Sequence, residues 1–164
     1  MTRAFNPATD FPALTELLND IAKADSSTPV TEEEQRGQAD YFGNSKFFFF
    51  QQWVVENSDK ALIAYAWMYQ QLVTPYAEFV IAIHPNHRKK AIDAHLLAAI
   101  IEVAKKRGVT YISVFAQSND ETARVFYLKH GFRPEGAFRL LSLEITQPLP
   151  LPEIPSEFVL LTYE

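Results

Sequence analysis

Residues 79–108 pass from an unbroken apolar run, Phe79-Val80-Ile81-Ala82-Ile83, through His84-Pro85 and a basic segment into the most regular helical pattern of the chain. A short apolar run stopped by proline reads as a buried strand, because proline cannot continue the ladder. Leu96, Leu97, Ile100, Ile101 and Ala104 then recur at helical spacing. Lys105, Lys106 and Arg107 suit the negative end of that helix, and Gly108 ends it. A strand turning directly into a long helix must bury both against a sheet, which confines the chain to layered α/β architectures. The same turn presents free N–H groups and the positive end of a helix dipole, a ready seat for an anion.

The flanking segments extend this unit. A short strand from Arg3 leads to a helix with Asp10 as candidate N-cap, Pro12 in its first turn, and Phe11, Leu14, Leu17, Leu18 and Ile21 on one face. Thr31 and Glu34 form a capping-box pair that opens a second, more polar helix reaching about Tyr41. Two aromatic, β-branched runs joined by a polar turn at Glu56–Lys60 read as a hairpin. Phe47–Phe50 are apolar on both faces, which implies a strand covered from both sides. Tyr65, Trp67 and Tyr69 share a strand face and read as sheet packing, with a pocket wall as the alternative. Tyr76–His84 and Thr110–Ala116 are further strands, the latter buried. Ser118 and Glu121 cap a short helix carrying Ala123, Phe126, Tyr127 and His130 and closed by Gly131. Phe132–Ile145 divides into two strands about Glu135-Gly136. The expected order is β-α-α-β-β-β-α-β-α-β-β, a mixed sheet of about six to seven strands with helices on both faces. Residues 1–146 form the expected domain. Residues 147–156 are a stiff proline-rich linker, and 157–164 begin a second domain or an extra edge strand.

Composition narrows the chemistry. Thirteen Phe and seven Tyr imply a large sheet surface to cover. The absence of cysteine excludes disulfide staples, thiolate metal sites and a cysteine nucleophile. There is no basic-then-apolar leader and no apolar run near the ~20 residues that span a bilayer, so a cytoplasmic protein without a membrane partner is expected. A net charge of −5 argues against nucleic acid. Its distribution is uneven: residues 84–133 hold nine Lys/Arg against four Asp/Glu, and the remainder six against sixteen. A basic stretch in an acidic chain suits an anionic ligand at one site and a cationic one at another, although solvated helix faces give the same pattern. His87, His95 and His130 lack metal-ligand spacing with carboxylates, so no metal is expected. No Gly-x-Ser-x-Gly element or Walker loop occurs.

Two motifs carry a resemblance. Ile83-His84-Pro85 followed by Arg88 matches the strand, His-Pro turn and Gln/Arg-x-x-Gly-x-Gly/Ala helix start of the GNAT superfamily of N-acetyltransferases. Asn119, Ala123, Phe126, Tyr127, Gly131 and Phe132 match its Asn-x-x-x-Ala-x-x-Phe/Leu-Tyr-x-x-x-Gly-Phe block. The resemblance runs from Arg3 to about Ile145 and implies acyl transfer from acetyl-CoA to a primary amine of a small molecule or protein. It also implies the roles. Backbone groups of Ile81, Ala82 and Ile83 hold the pantetheine arm, and the segment Arg88, Lys89, Lys90, Ala91, Ile92 and Asp93 receives the phosphates. Asn119 binds the arm, Tyr127 protonates the leaving sulfur, and Glu78 in Ala-Glu-Phe-Val-Ile-Ala-Ile stands where some members keep the base. Tyr127 and Glu78 also have ordinary readings, as a core aromatic and a solvent-facing strand residue. His84 reads as structural.

The chain departs from the pattern at two positions. Ala91 replaces a glycine, and Asp93 replaces a small residue with a carboxylate where the anion is expected. An aspartate in the first helical turn satisfies the same N–H groups itself. The alternative to an active enzyme is therefore a catalytically degenerate domain of this type with a scaffolding role. Its partner would be a second such domain or a second copy of the chain.

Overall fold

The hairpin segments pair as their alternation predicts. β2 (Phe48–Glu56) and β3 (Leu62–Gln71) run antiparallel from Phe48↔Gln71 to Glu56↔Leu62, with an irregularity between Val55 and Glu56. The polar turn between them is closed by the Asn57 side chain, whose Oδ1 accepts from the Asp59 and Ala61 N–H groups, each at 2.9 Å. β1 (Thr2–Ala4) adds antiparallel to β2, and β4 (Tyr76–Ile83) adds antiparallel to β3. β5 (Tyr111–Val114) then adds parallel to β4, giving the sheet order β1-β2-β3-β4-β5. The computed structural model describes residues 1–88, 91–116 and 120–137. The chain divides into two compact units, Met1–Ala116 and Gln117–Glu164, and the sheet belongs to the first.

Three helices cover the sheet. α1 (Phe11–Asp25) buries Phe11, Leu14 and Leu17 against Phe5, Val54, Leu62 and Tyr65. α2 (Glu32–Gly43) packs beside α1 and β2, placing Phe42 on the same face. α3 (Ile92–Lys106) buries Leu96, Leu97, Ile100 and Ala104, the stripe expected from spacing, and packs on β3 and β4. Because Tyr65 faces α1, strand alternation turns Ala64, Ala66 and Met68 to the opposite face, which α3 covers. All three are fully buried, so β3 is covered on both sides, as a central strand of a mixed sheet must be. The second unit contains α4 (Glu121–Lys129), closed at Gly131 with φ 86°.

Several expectations need correction. Five strands are present among the described residues, and Phe132–137 is not strand; the rest of the expected terminal hairpin, the linker and residues 157–164 lie outside the described residues. Phe47 is 69% exposed and precedes β2, so that run is not covered from both sides at its start. β5 is shorter than expected and half-buried, because it is paired on one side only among the described strands. α4 is capped by Asp120, whose Oδ1 accepts from the Ala123 N–H at 2.9 Å, while Ser118 lies outside the described residues. The Thr31–Glu34 capping box is present in full.

Asp10 precedes α1 as expected but makes no side-chain cap. Its carboxylate turns instead to the Arg3 guanidinium, which donates to both of its oxygens at 2.6 and 3.0 Å and reaches Glu56 at 2.6 Å. One cation thus ties β1, the entry to α1 and the end of β2. The Arg3 hydrogen bonds hold the Asp10 carboxyl below the usual aspartate value. Asp10→Asn is expected to destabilise the protein by about 1–3 kcal/mol at pH 7, the worth of hydrogen bonds to a charged group. Because the folded value is depressed, this stability is present above about pH 4 and is lost as the pH falls through it. Urea melts at pH 7 and pH 3 should show the difference between natural protein and variant narrowing at the lower pH.

Candidate functional site

β4 and β5 stay together for only four residues. Tyr76↔Tyr111 begins the pairing and Phe79↔Val114 ends it, yet β4 continues to Ile83. Over Val80–Ile83 the strand is still held by β3, through Ala64↔Ile83, Tyr65↔Ala82, Ala66↔Ile81 and Trp67↔Val80. Its other edge has no strand partner among the described residues. Unpaired backbone groups require water, a ligand or another segment. Ile81, Ala82 and Ile83 therefore sit, half-buried, on an open strand edge.

The chain then turns through His84, Pro85–His87 and Arg88 toward α3. His84 is structural, as expected: its Nδ1 accepts from the Asn86 N–H at 3.2 Å, capping the short turn, while Nε2 lies 3.5 Å from Asp20. Ala91 occupies the N-cap position of α3 with φ 55° and ψ 22°, the left-handed region. The family's glycine at this position thus has a conformational reason beyond close approach, since a Cβ is strained there. Ile92 and Asp93 open the helix, and the Asp93 Oδ1 accepts from the Ala94 N–H at 2.8 Å. The helix supplies its own anion to one of its first free donors. Arg88 is likewise engaged: its Nη2 meets Asp25 Oδ2 at 2.6 Å and its Nε lies 3.5 Å from the Ile83 carbonyl. Lys89, Lys90 and Asn119 lie outside the described residues.

Glu78 stands one residue before the pairing ends. It faces the α1–α2 side and is not an isolated solvent-facing carboxylate. Tyr76 Oη donates to Glu78 Oε1 at 2.7 Å and lies 2.5 Å from Ser113 Oγ. Tyr69 lies opposite Glu78 on β3. Burial, with the neighbouring Glu78 carboxylate, pushes the Tyr69 phenol well above its ordinary value. Sequence reasoning missed Tyr76 and Ser113 as polar partners; the parity of Tyr76 and Glu78 was a visible signal, but cross-strand register was not. The aromatic wall beside them is packed: Phe42 stacks on Tyr69 at 4.9 Å, Phe50 at 5.3 Å and Trp67 at 6.5 Å. Burial raises the Tyr65 phenol to about 12, which keeps it a neutral packing group.

The first unit thus brings together Glu78, the open edge of Ile81–Ile83, Arg88 and the start of α3. Tyr127 belongs to the second unit, half-buried on α4 with its ring 5.1 Å from Phe126 and 5.3 Å from Phe132. Among the described residues no three His, Asp or Glu side chains are placed to hold a metal, and no helix is long and apolar enough to cross a membrane.

Comparison with known proteins identifies the family to which this fold belongs. Residues 11–132 match the model of the Acetyltransferase (GNAT) family, and the chain belongs to that family. Solved structures with the same fold include a ribosomal-protein-alanine N-acetyltransferase from Brucella melitensis, 21% identical over 83% of this chain and 86% of that one, TM-score 0.69. An N-acetyltransferase from Staphylococcus aureus Mu50 is 18% identical over 83% and 84%, TM-score 0.69. A GCN5-related N-acetyltransferase from Sphaerobacter thermophilus is 20% identical over 82% of this chain and 43% of that chain, TM-score 0.70. At these identities the likeness is one of fold. A search of curated proteins gives no match.

Ala91→Gly is expected to stabilise the protein by about 0.5–1 kcal/mol, the relief of left-handed strain less the added freedom of the unfolded chain. A thermal melt should show Tm raised by about 1–4 °C.

Proposed function

We propose that this chain is an acetyl-CoA-dependent N-acyltransferase acting on a primary amine of a small molecule or protein. The observation that carries the reading is the parting of β4 from β5 one residue past Glu78, which sets a carboxylate beside an open strand edge. When bound, acetyl-CoA supplies the acyl group as a reactive thioester. The edge of Ile81, Ala82 and Ile83 fits an extended arm, and its N–H groups suit a carbonyl that gains negative charge. An amine is protonated at neutral pH and must lose that proton before its lone pair can attack. Glu78 is the candidate base: the N–H bond breaks, the electron pair stays on nitrogen, and the proton goes to a carboxylate oxygen. Tyr127, by its place in the family pattern, is the candidate proton donor. A cytoplasmic setting fits a chain without cysteine.

The phosphate end fits less well. Asp93 occupies the Ala94 N–H, and Arg88 is paired with Asp25. This favours, as a second reading, a domain that has lost catalysis and serves as a scaffold.

One titration separates the two readings. Like charges ~4 Å apart repel by about 4 kcal/mol at an effective dielectric of 20, which screening and nearby cations reduce to about ten- to a hundredfold in affinity. Calorimetry should find weak acetyl-CoA binding by the natural protein and at least about tenfold tighter binding by Asp93→Gly. Tight binding by the natural protein would favour the active enzyme, and no gain in Asp93→Gly would mean that something other than this charge closes the site. For the active reading, Glu78→Gln is expected to lower kcat/KM by about 10²–10⁴, the worth of a general base, in a thiol-release assay run over a panel of primary amines.

A further inference from the structure

The two faces of the sheet are finished differently. On the face under α3, Ala64, Ala66, Met68 and Gln70 of β3 and Ala77 and Phe79 of β4 are all buried. On the other face α1 seals one end, where Val54 and Tyr65 are buried among Phe11, Leu14 and Leu17. Past that end Phe48 and Phe50 of β2, Trp67 and Tyr69 of β3, and Glu78 and Val80 of β4 are only half-buried. α2 packs on β2 here without burying any residue of its own, and adds one more half-buried ring, Phe42.

Most of these rings share an orientation. Phe42 stacks on Tyr69 at 4.9 Å and 18°, on Phe50 at 5.3 Å and 26°, and lies 6.5 Å and 23° from Trp67. Trp67 and Tyr69 stack at 5.8 Å and 26°, and Phe48 stands edge-on to Tyr69 at 5.7 Å and 88°. Near-parallel rings that keep part of their surface in water form a wall that another flat ring extends by stacking. A cluster of half-covered aromatic side chains beside a polar group is the mark of a recognition surface rather than of a finished core.

The strand register places a charge at the end of this wall. Phe50, Tyr69, Glu78 and Ser113 form one row across β2, β3, β4 and β5, and Glu78 is its one charged member. Trp67 stands in the next row, opposite Val80, the first residue of β4 past the pairing with β5. Trp67 and Glu78 are therefore diagonal neighbours, about 7–8 Å apart along the sheet and within reach of one large group. Among the described residues no Lys or Arg is ion-paired with Glu78.

We propose that this wall selects the acceptor, a small primary amine carried on an aromatic ring, with its ammonium at Glu78 and its ring against Trp67 and Tyr69. The inference rests on the proposed acyl transfer and deepens it by naming the acceptor class. Glu78 meets the ammonium by charge, and the wall meets the body by stacking. A polyamine fits worse, because each further ammonium would lose water against apolar rings with no second carboxylate in the row. A lysine side chain fits worse too, because its aliphatic stem has nothing to stack.

The test is a binding comparison. Backbone amides are followed by ¹⁵N NMR while phenethylamine, its cyclohexyl analogue of like size and charge, or spermidine is titrated into the full chain. Phenethylamine should shift the amides of β3 and β4 and bind about two- to tenfold more tightly than the cyclohexyl analogue, the worth of an aromatic pair. Spermidine should bind more weakly than phenethylamine. Trp67→Leu, apolar but without a ring, should remove most of the preference, whereas Trp67→Phe should retain it; a thermal melt of each verifies the fold. Equal affinities for phenethylamine and its analogue, tighter binding of spermidine, shifts confined to elements other than β2, β3 and β4, or no binding at all would overturn the proposal. The comparison of amines in the natural protein stands without any variant. No turnover is read, so the effect of Glu78→Gln on transfer bears on the base alone.

Discussion

Everything in the first unit depends on β4 being held straight by β3 after β5 has left it. Seven residue pairs, from Ala64↔Ile83 to Gln70↔Ala77, lock β4 on one side, whereas the parallel pairing on the other stops at Phe79↔Val114. A strand with one partner over Val80–Ile83 normally marks the rim of a sheet. Here it occurs where the chain immediately turns toward a helix, so the unpaired edge and the helix start are close in sequence. β3 can enforce this because it is buried on both faces, with Ala64, Ala66 and Met68 wholly inside. Small residues at Ala64 and Ala66 also let α3 lie close to the sheet.

The two ends of this strand–turn–helix segment are built on opposite electrostatic plans. At the Glu78 end, the carboxylate accepts from a neutral donor, the Tyr76 hydroxyl. At the α3 end, charges are cancelled locally: Arg88 by Asp25, and the helix donor at Ala94 by Asp93. The first arrangement is outward-looking and suits chemistry with a cationic partner. The second is self-contained and weakens any anion that must share the site. Membership of the acetyltransferase family is therefore clear in the architecture, while the helix start carries this chain's own modification.

Local signals were legible in the sequence and distant ones were not. The Thr31–Glu34 box, the Asn57 turn region and the Leu96–Leu97–Ile100–Ala104 stripe each depend on spacing within a few residues, and each appears as read. Asp10 looked like a cap because an aspartate before an apolar helix usually is one; a guanidinium seven residues earlier competes for its oxygens and wins. α4 is capped by Asp120, whose side chain accepts from the Ala123 N–H, while Ser118 lies outside the described residues. Glu78 could be singled out by its place in a motif. Its neighbours could not, because Tyr69 and Ser113 flank it only once three strands adopt one register.

Ala91 has a kinetic consequence. An alanine held at φ 55° keeps about 1 kcal/mol of strain at the entrance to α3, and local opening releases it. The first turn is therefore the part of this helix whose amides exchange with solvent soonest, while those of the turn that carries the buried Leu96, Leu97 and Ile100 exchange only on deeper unfolding. The start of α3 behaves as a latch that rests slightly sprung, and any anion that settles on it would report its arrival as slower exchange in that single turn.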